Sequence, residues 1–173
     1  KLKRQVALKV IQSSKLSHST VQRFLLEASA AARVESPNIV PIYHQGEIDG
    51  IGYIAMKYLE GQNLHDRFKE SGKISPDETI RIGIEVCRGL AAAHGVGVVH
   101  RDIKPANLWV EKESGQIKIL DFGLAFETVE GEGLTRSGQL LGSPKYMSPE
   151  QAEGKKVDER TDLFSLGCVL YHA

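Results

Sequence analysis

Two short polar motifs, each next to an apolar run, constrain this chain more than any other feature of its sequence. The first reads Val-Val-His-Arg-Asp-Ile-Lys-Pro-Ala-Asn at residues 98–107, and the second reads Leu-Asp-Phe-Gly at residues 120–123. Because Asp, Asn and Gly favour turns, a lone Asp-Phe-Gly would fit a simple β-hairpin. Turn chemistry does not account for the ten-residue motif before it. Together the motifs supply carboxylates, an amide and a lysine, the groups that phosphoryl transfer with Mg²⁺ requires.

In order and spacing the two motifs resemble the catalytic core of eukaryotic-type protein kinases, and the resemblance covers essentially the whole chain. It implies that Asp102 accepts or orients the proton of the attacking hydroxyl, while Asn107 and Asp121 hold Mg²⁺ against the phosphates of ATP. Lys104 follows Asp102 as in serine/threonine kinases, where a lysine can neutralise the γ-phosphate. The resemblance implies a packed structural role for His100, without acid-base chemistry.

Two further stretches, residues 33–40 and 146–152, look like the bacterial serine/threonine kinases of this superfamily. The resemblance implies a two-lobed α+β fold: residues 1–56 in a small β-rich N-lobe, 57–61 as the hinge, and 62–173 in a helical C-lobe. The Gly-rich loop of the family would precede this chain, and its last helices would follow it. We therefore expect a catalytic domain truncated at both ends, unstable or inactive alone and active in the full-length parent.

The first strand and helix contain a lysine and a glutamate that the family uses together. Alternating polarity predicts a strand at residues 5–11, and an Ala-rich helical repeat predicts a helix at residues 20–33. By resemblance Lys9 contacts the α- and β-phosphates, although a lone strand lysine is ordinarily solvated. Glu27 lies among apolar helix positions, which is unfavourable for a carboxylate without a partner. Lys9 is the candidate partner, and a surface pair with Arg23 is the alternative.

A predicted hairpin leads into a segment that resembles the adenine-binding hinge. Strands are predicted at residues 39–46 and 51–59, joined through Asp49-Gly50. By resemblance, three hinge residues would hydrogen-bond adenine through their backbone: Lys57, Tyr58 and Leu59. Met56 would be the bulky residue that guards the pocket behind them.

The next predicted helix is a scaffold element running from Pro76 to His94, with Ser75 as its N-cap and Glu78 placed for a capping box. An apolar stripe follows one face and is expected to be buried under the catalytic loop. Its members are Ile80, Ile84, Cys87 and Ala91. Cys87 and Cys168 are expected to be buried free thiols, which is typical of a reducing, cytoplasmic setting.

The only tryptophan of the chain departs from the commonest family pattern. Strands are predicted at residues 108–110 and 116–120, turning at Ser114-Gly115. Two positions after Asn107 the family usually has a small aliphatic side chain that forms the floor of the adenine pocket, and here the residue is Trp109. Its indole would stack under adenine or crowd it, or would instead be buried where the lobes meet.

Residues 121–150 form a long Gly-rich segment that resembles the activation segment of the family. A phosphate on Thr135 or Ser137 would add about −1.5 to −2 charges and order the segment, with Arg101 as the cation that it would meet. The resemblance also implies that Ser143 contacts Asp102 and Lys104.

Two acidic residues near the end of the chain are given structural roles by the resemblance. Glu150 ends the Ser-Pro-Glu that stands where the family typically has Ala-Pro-Glu, and its usual arginine partner would lie beyond this chain. Asp162 begins a predicted helix over residues 162–173 and would brace the backbone of the catalytic loop. The alternative for Asp162 is an ordinary helix N-cap.

The overall charge excludes some classes of partner. The chain has 22 basic and 22 acidic side chains and no long run of either sign, which argues against a nucleic-acid surface or a polybasic membrane patch. No apolar stretch reaches the ~18 residues that span a bilayer. We expect a cytoplasmic location in which any membrane tether lies outside this chain, with ATP, Mg²⁺ and proteins bearing Ser or Thr as cofactors and substrates.

Three functional classes remain open at this point. An active serine/threonine protein kinase is favoured because its expected chemical groups are present. A pseudokinase, or an ATP-binding scaffold or interaction module, is the alternative. A small-molecule phosphotransferase is disfavoured, since such relatives usually lack the segment at residues 143–150 that shapes a protein-substrate groove.

Overall fold

The computed structural model describes residues 4–10, 18–122 and 144–173, without the side chains of residues 18–20, Arg23 and Glu27. Thr135, Ser137 and Ser143, to which the sequence analysis gave regulatory and substrate-loop roles, lie outside the described residues.

The first part of the fold is a three-stranded antiparallel sheet with one helix packed against it. Strands β1 (Val6–Val10), β2 (Ile42–Ile48) and β3 (Ile51–Lys57) are arranged in the order β1-β3-β2. The β2–β3 hairpin turns at Asp49 and Gly50, whose φ angles of 52° and 77° suit these turn residues, as the sequence predicts. Helix α1 (His18–Ala31) contributes Phe24 and Ala28 to a small core with Ile54.

The second part combines another antiparallel sheet with the helices. Strands β4 (Gly61–Asn63), β5 (Leu108–Glu111) and β6 (Ile117–Ile119) form it in the order β4-β5-β6. The helices of this part are α2 (Leu64–Ser71), α3 (Pro76–His94), α4 (Pro149–Ala152) and α5 (Glu159–His172), with 3₁₀ turns at Pro105–Asn107 and Pro144–Tyr146. Among the described helices, none is long and apolar enough to cross a bilayer.

Helix α3 has the predicted bounds, but the face predicted to be buried is exposed. Ile80, Ile84, Cys87 and Ala91 are all exposed, and Cys168 is half-buried, so the expectation of two buried thiols is also wrong. The buried face is formed by a second set with the same period: Ile82, Val86, Leu90 and Ala93. Ser75 Oγ accepts the Glu78 N–H as predicted, while the Glu78 carboxylate pairs with Arg67 instead of completing a capping box.

The loop between α1 and β2 joins the two sheets through the backbone of β6. Ile119 N–H donates to the Asn38 carbonyl at 2.8 Å, and Asn38 Nδ2 donates to the Ile117 carbonyl at 3.1 Å. A Cβ on Gly89 of α3 would lie 2.6 Å from Ile119 Cδ1 and 3.3 Å from the Asn38 carbonyl oxygen. Glycine at this position therefore lets helix, loop and strand meet closely. The mixed helix and sheet content confirms the predicted α+β class.

Candidate active site

The motif at residues 98–107 brings two polar side chains, those of Lys104 and Asn107, to the carboxylate of Asp102. Lys104 Nζ lies 2.6 Å from Asp102 Oδ2, and Asn107 Nδ2 donates to the same oxygen at 2.9 Å and to the Asp102 carbonyl at 2.8 Å. The Pro105–Asn107 turn brings Asn107 back towards Asp102. Because both amide protons of Asn107 are directed at Asp102, its amide oxygen is left as the group able to ligate a cation.

Asp162 fixes the backbone that leads into this cluster. Its fully buried carboxylate accepts the N–H of His100 at 2.8 Å and the N–H of Arg101 at 2.7 Å, and it lies 2.7 Å from His94 Nε2. Asp162 is in the first turn of α5, whose N-cap is Asp158, so the reading of Asp162 as an ordinary N-cap is wrong. A buried carboxylate that accepts several hydrogen bonds holds its donors in a fixed orientation, and here two of those donors are the backbone N–H groups of His100 and Arg101.

His100 connects the two sequence motifs from inside the core. It is completely buried, its Nδ1 accepts the Asp102 N–H at 3.2 Å, and its Nε2 is 2.8 Å from the Leu120 carbonyl. This pattern requires the neutral tautomer with the proton on Nε2. Burial lowers the pKa of His100, although the nearby carboxylates, Asp162 first, act in the opposite direction. The imidazole is therefore a neutral bridge between the two motifs.

The second motif directs Asp121 towards the first sheet. Lys9 Nζ on β1 lies 2.9 Å from Asp121 Oδ1, and both side chains are about one-third exposed. The predicted pairing of Lys9 with Glu27 falls outside the described residues, because the Glu27 side chain is not among them. Asp121 has φ of 54°, a left-handed conformation that is uncommon for a non-glycine residue and recurs at functional sites.

Next to β4 and β5 lies an open cleft of about 710 Å³, and its lining includes Tyr58, Leu59 and Trp109. Trp109 Nε1 donates to the Glu60 carbonyl at a long 3.4 Å, so the indole lies against the chain segment predicted to be the hinge. Met56 is placed elsewhere, in a small pocket with Phe122 and Asp121. The lining of the cleft is otherwise largely polar, and the side chains of Tyr58, Leu59 and Trp109 give it an apolar part that a planar aromatic ligand can contact.

Lys57 has a partner that the sequence analysis missed. Its Nζ lies 2.9 Å from Glu111 Oε1 at the end of β5, and Lys118 Nζ lies 3.8 Å from Glu111 Oε2. Burial raises the pKa of Glu111, but hydrogen bonding from Lys57 and the charge of Lys118 outweigh it, and the net shift is downward. No motif marks Glu111, since it meets Lys57 only when the ends of β3 and β5, which belong to different sheets, are brought together in the fold.

The oxygen donors of the two motifs, with the lysines beside them, suit a nucleoside triphosphate and its metal ion. Carboxylate and amide oxygens, from Asp121 and Asn107, are ligands that Mg²⁺ prefers. Lys9 and Lys104 provide positive charge for phosphate oxygens. The residues present therefore fit Mg²⁺ and ATP.

Comparison with known proteins gives the family to which this arrangement corresponds. Residues 1–173 match the protein kinase domain family. The chain belongs to the protein kinase family.

Bacterial serine/threonine protein kinases are among the most similar curated proteins. A probable serine/threonine-protein kinase of Clostridium perfringens is 43% identical over 172 residues, covering 99% of this chain and 25% of the relative. Serine/threonine-protein kinase pkn3 of Myxococcus xanthus is 42% identical, with 98% of this chain and 32% of the relative covered. PknB of Mycobacterium leprae is 38% identical, with 99% and 28% covered. This chain thus spans about a quarter to a third of these kinases.

A solved structure agrees with the sequence comparison. The crystal structure of the Mycobacterium tuberculosis PknI kinase domain matches with a TM-score of 0.78 and 30% identity, over 96% of this chain and 62% of that one. The predicted two-lobed protein-kinase fold and the resemblance to bacterial serine/threonine kinases are therefore confirmed.

The segment that begins at residue 144 packs against the motif at residues 98–107. Glu150 Oε1 accepts from Thr161 Oγ1 at 2.6 Å, a hydrogen bond that lowers the pKa of this carboxyl. Gln151, which the sequence analysis did not single out, donates from Nε2 to the Arg101 carbonyl at 2.8 Å. The signal available in the sequence was the capping box Ser148-Pro-Glu-Gln151, which predicts a helix start but not this contact.

Proposed function

We propose that this chain is the catalytic part of a serine/threonine protein kinase that transfers the γ-phosphate of ATP to Ser or Thr hydroxyls of proteins. The observation that carries the proposal is the convergence of Lys104 and Asn107 on the Asp102 carboxylate, within 2.6 and 2.9 Å. The names of the related bacterial kinases support the choice of reaction and of Ser or Thr as acceptor.

In this proposal Asp102 orients the substrate hydroxyl and accepts its proton as the oxygen attacks phosphorus. Lys104, whose ammonium touches the same carboxylate, offsets negative charge on the transferred phosphoryl group. Asn107 holds Asp102 in place through its two amide protons. The three side chains thus position the nucleophile and stabilise charge.

ATP and Mg²⁺ would be held by the remaining candidate residues. Mg²⁺, when bound, neutralises charge on the phosphates, and Asn107 and Asp121 are the residues that would ligate it. Lys9 would meet the α- and β-phosphates, and Glu27 would support Lys9. Adenine would occupy the cleft beside Tyr58, Leu59 and Trp109, hydrogen-bonded by the backbone of residues 57–59, with Met56 guarding the pocket behind it.

The proposal extends to domain boundaries and regulation. Residues 1–56 would belong to the N-lobe, 57–61 to the hinge and 62–173 to the C-lobe. Phosphorylation of Thr135 or Ser137 would order the activation segment, with Arg101 immediately before Asp102 as the cation that receives the phosphate. Ser143 would contact Asp102 and Lys104 in the active arrangement.

The test is γ-phosphate transfer by the full-length protein, comparing wild type with Asp102→Asn and mapping the phosphorylated residues. Loss of a general base typically costs about 10²–10⁴-fold, so we expect transfer to fall at least a hundredfold in the variant. Asp77→Asn, which changes an exposed carboxylate in the first turn of α3, should behave as wild type. Label on Thr135 or Ser137 would support loop autophosphorylation.

Two outcomes would count against the proposal. If the wild type binds ATP and is folded but transfers no phosphate to any protein, the scaffold alternative is favoured. If Asp102→Asn transfers phosphate as fast as wild type, the assignment of Asp102 is wrong.

A further inference from the structure

The peptide unit directly before Asp102 is held at both of its ends by side chains. Its N–H, belonging to Asp102, donates to His100 Nδ1 at 3.2 Å. Its carbonyl, belonging to Arg101, accepts from Gln151 Nε2 at 2.8 Å. The orientation of this peptide sets the direction in which the Asp102 side chain leaves the backbone, so both hydrogen bonds bear on the placement of the carboxylate.

The backbone at this point is in a conformation that needs external support. Arg101 has φ of 65°, a left-handed conformation that disfavours a residue with a Cβ. Its N–H is held by Asp162 Oδ1 at 2.7 Å, and its carbonyl is held by Gln151. Such strained residues persist when surrounding contacts over-determine them. Gln151 supplies the contact on the carbonyl side.

The amide of Gln151 is itself held in a defined orientation. Gln151 Oε1 accepts the Ser148 N–H at 3.2 Å, and Ser148 Oγ accepts the Gln151 N–H at 3.3 Å, which together form the capping box of α4. With its oxygen bound to the Ser148 backbone, the amide must direct its nitrogen to the Arg101 carbonyl. One side chain thus joins the start of α4 to the backbone that carries Asp102.

We propose that Gln151 is a positioning residue for Asp102, transmitting the placement of residues 144–152 to the catalytic carboxylate. This assignment rests on the proposed kinase function. When α4 is seated, the Gln151 amide holds the Arg101 carbonyl and Asp102 is aligned with the acceptor hydroxyl. When α4 is displaced, that carbonyl loses its donor, the peptide is free to rotate, and phosphoryl transfer slows while nucleotide binding is unaffected.

The test is steady-state kinetics of the full-length protein carrying Gln151→Glu. The carboxylate still accepts the Ser148 N–H, but it has no proton to donate to the Arg101 carbonyl. Because small misplacements of a reacting group cost up to about 10²-fold, we expect kcat to fall roughly tenfold or more, with the KM for ATP changed by less than about twofold. Gln151→Met, of similar size and without charge, should show the same loss of kcat.

A matched control makes a similar change of charge at an exposed residue next to α4. Glu153→Gln changes an exposed carboxylate directly after α4 and leaves the Gln151 amide able to donate to the Arg101 carbonyl, so it should leave kcat and the thermal midpoint nearly unchanged. In an Asp102→Asn background, Gln151→Glu should cause no further loss, because the group that it positions is already gone.

The possible failures are distinguishable. Wild-type activity together with an unchanged kcat in Gln151→Glu or Gln151→Met overturns the positioning role alone. A fall of kcat in Glu153→Gln that matches the fall in Gln151→Glu and Gln151→Met also overturns it, since any change of charge or polarity near α4 would then explain all three. Absence of transfer in the wild type overturns the proposed function, and this assignment with it.

Discussion

At the scale of single residues, the candidate site depends on side chains that hold unusual backbone in place. Arg101 and Asp121 both have left-handed φ angles. Each is next in the chain to a residue whose backbone contacts the buried His100: Arg101 precedes Asp102, and Asp121 follows Leu120. His100 receives the N–H of Asp102 and reaches the carbonyl of Leu120, so one ring spans the two motifs. A charged imidazole would lose the acceptor at Nδ1, and this bridge therefore requires a neutral ring.

The lowered pKa of His100 makes stability depend on pH. Below the ordinary histidine pKa of about 6.5, the folded state binds fewer protons than the unfolded state because the pKa of His100 is lowered in the fold. The contribution of the neutral ring to the free energy of unfolding is therefore complete above that pH, and it decreases as the pH falls below it. We expect urea titrations of the full-length protein between about pH 7.5 and 5.5 to show this loss. For one histidine the slope reaches at most about 1.4 kcal/mol per pH unit.

Two histidine variants test whether His100 causes the pH dependence of the unfolding free energy. His100→Gln should lower stability at every pH but flatten its decrease below about pH 6.5. His65→Gln, the same change at an exposed position of α2, should keep the wild-type slope. An unchanged slope in His100→Gln would show that another group causes the pH dependence.

At the scale of secondary structure elements, α3 has two apolar stripes, and packing against its neighbours determines which of them is buried. Ile82, Val86 and Leu90 are almost completely buried against the second sheet and α5, whereas Ile84 remains 48% exposed. Gly83, also on the buried side, lies against Leu170 of α5. The small glycines allow close approach on that side of the helix, and close approach favours it as the packed face.

Two matched substitutions on α3 test which face is packed. Ile82→Ala removes a fully buried side chain and should cost about 2–5 kcal/mol of unfolding free energy. Ile84→Ala removes the same atoms from a half-exposed position and should cost about 1 kcal/mol or less. Denaturant unfolding of the two variants in the full-length protein measures the difference. Equal losses of unfolding free energy in the two variants would contradict the observed burial. A larger loss in Ile84→Ala would mean that the face of α3 containing Ile84 is covered in the full-length protein.

At the scale of the whole molecule, the two sheets are joined by hydrogen bonds as well as by the chain between them. The Asn38 side chain and backbone bond to β6, and Lys57 at the end of β3 pairs with Glu111 at the end of β5. Lys9 and Asp121 form a further link across the site. Because the candidate residues come from both parts, the distance between the sheets decides whether the site is assembled.

The 173-residue chain taken alone should be weakly stable and inactive. It corresponds to 62% of the PknI kinase domain, and it leaves large apolar side chains exposed, including Leu8 at 59%, Ile80 at 61% and Tyr171 at 96%. A fully exposed side chain of this size forgoes about 1.5–3 kcal/mol of burial and a partly exposed one forgoes part of that, against a typical total stability of about 5–15 kcal/mol.

Calorimetry and a kinase assay, with the full-length protein as the reference, check this expectation. A broad, non-cooperative transition without phosphate transfer is the expected result for the isolated chain. Cooperative unfolding together with Mg²⁺-ATP-dependent phosphorylation by that chain would contradict it.

The motifs at residues 98–107 and 120–123 identified the fold family through their resemblance to protein kinases, and helical periodicity with local capping residues predicted the bounds of α3. Asp102, Lys104 and Asn107 belong to one short motif, so their closeness also follows from the order of the chain. Three features follow only from the packing of distant elements: the apolar stripe of α3 that is buried, the contact of Lys57 with Glu111, and the contact of Gln151 with the Arg101 carbonyl. These contacts join residues far apart in the chain, and helical or strand periodicity carries no information about which distant surface will be the partner.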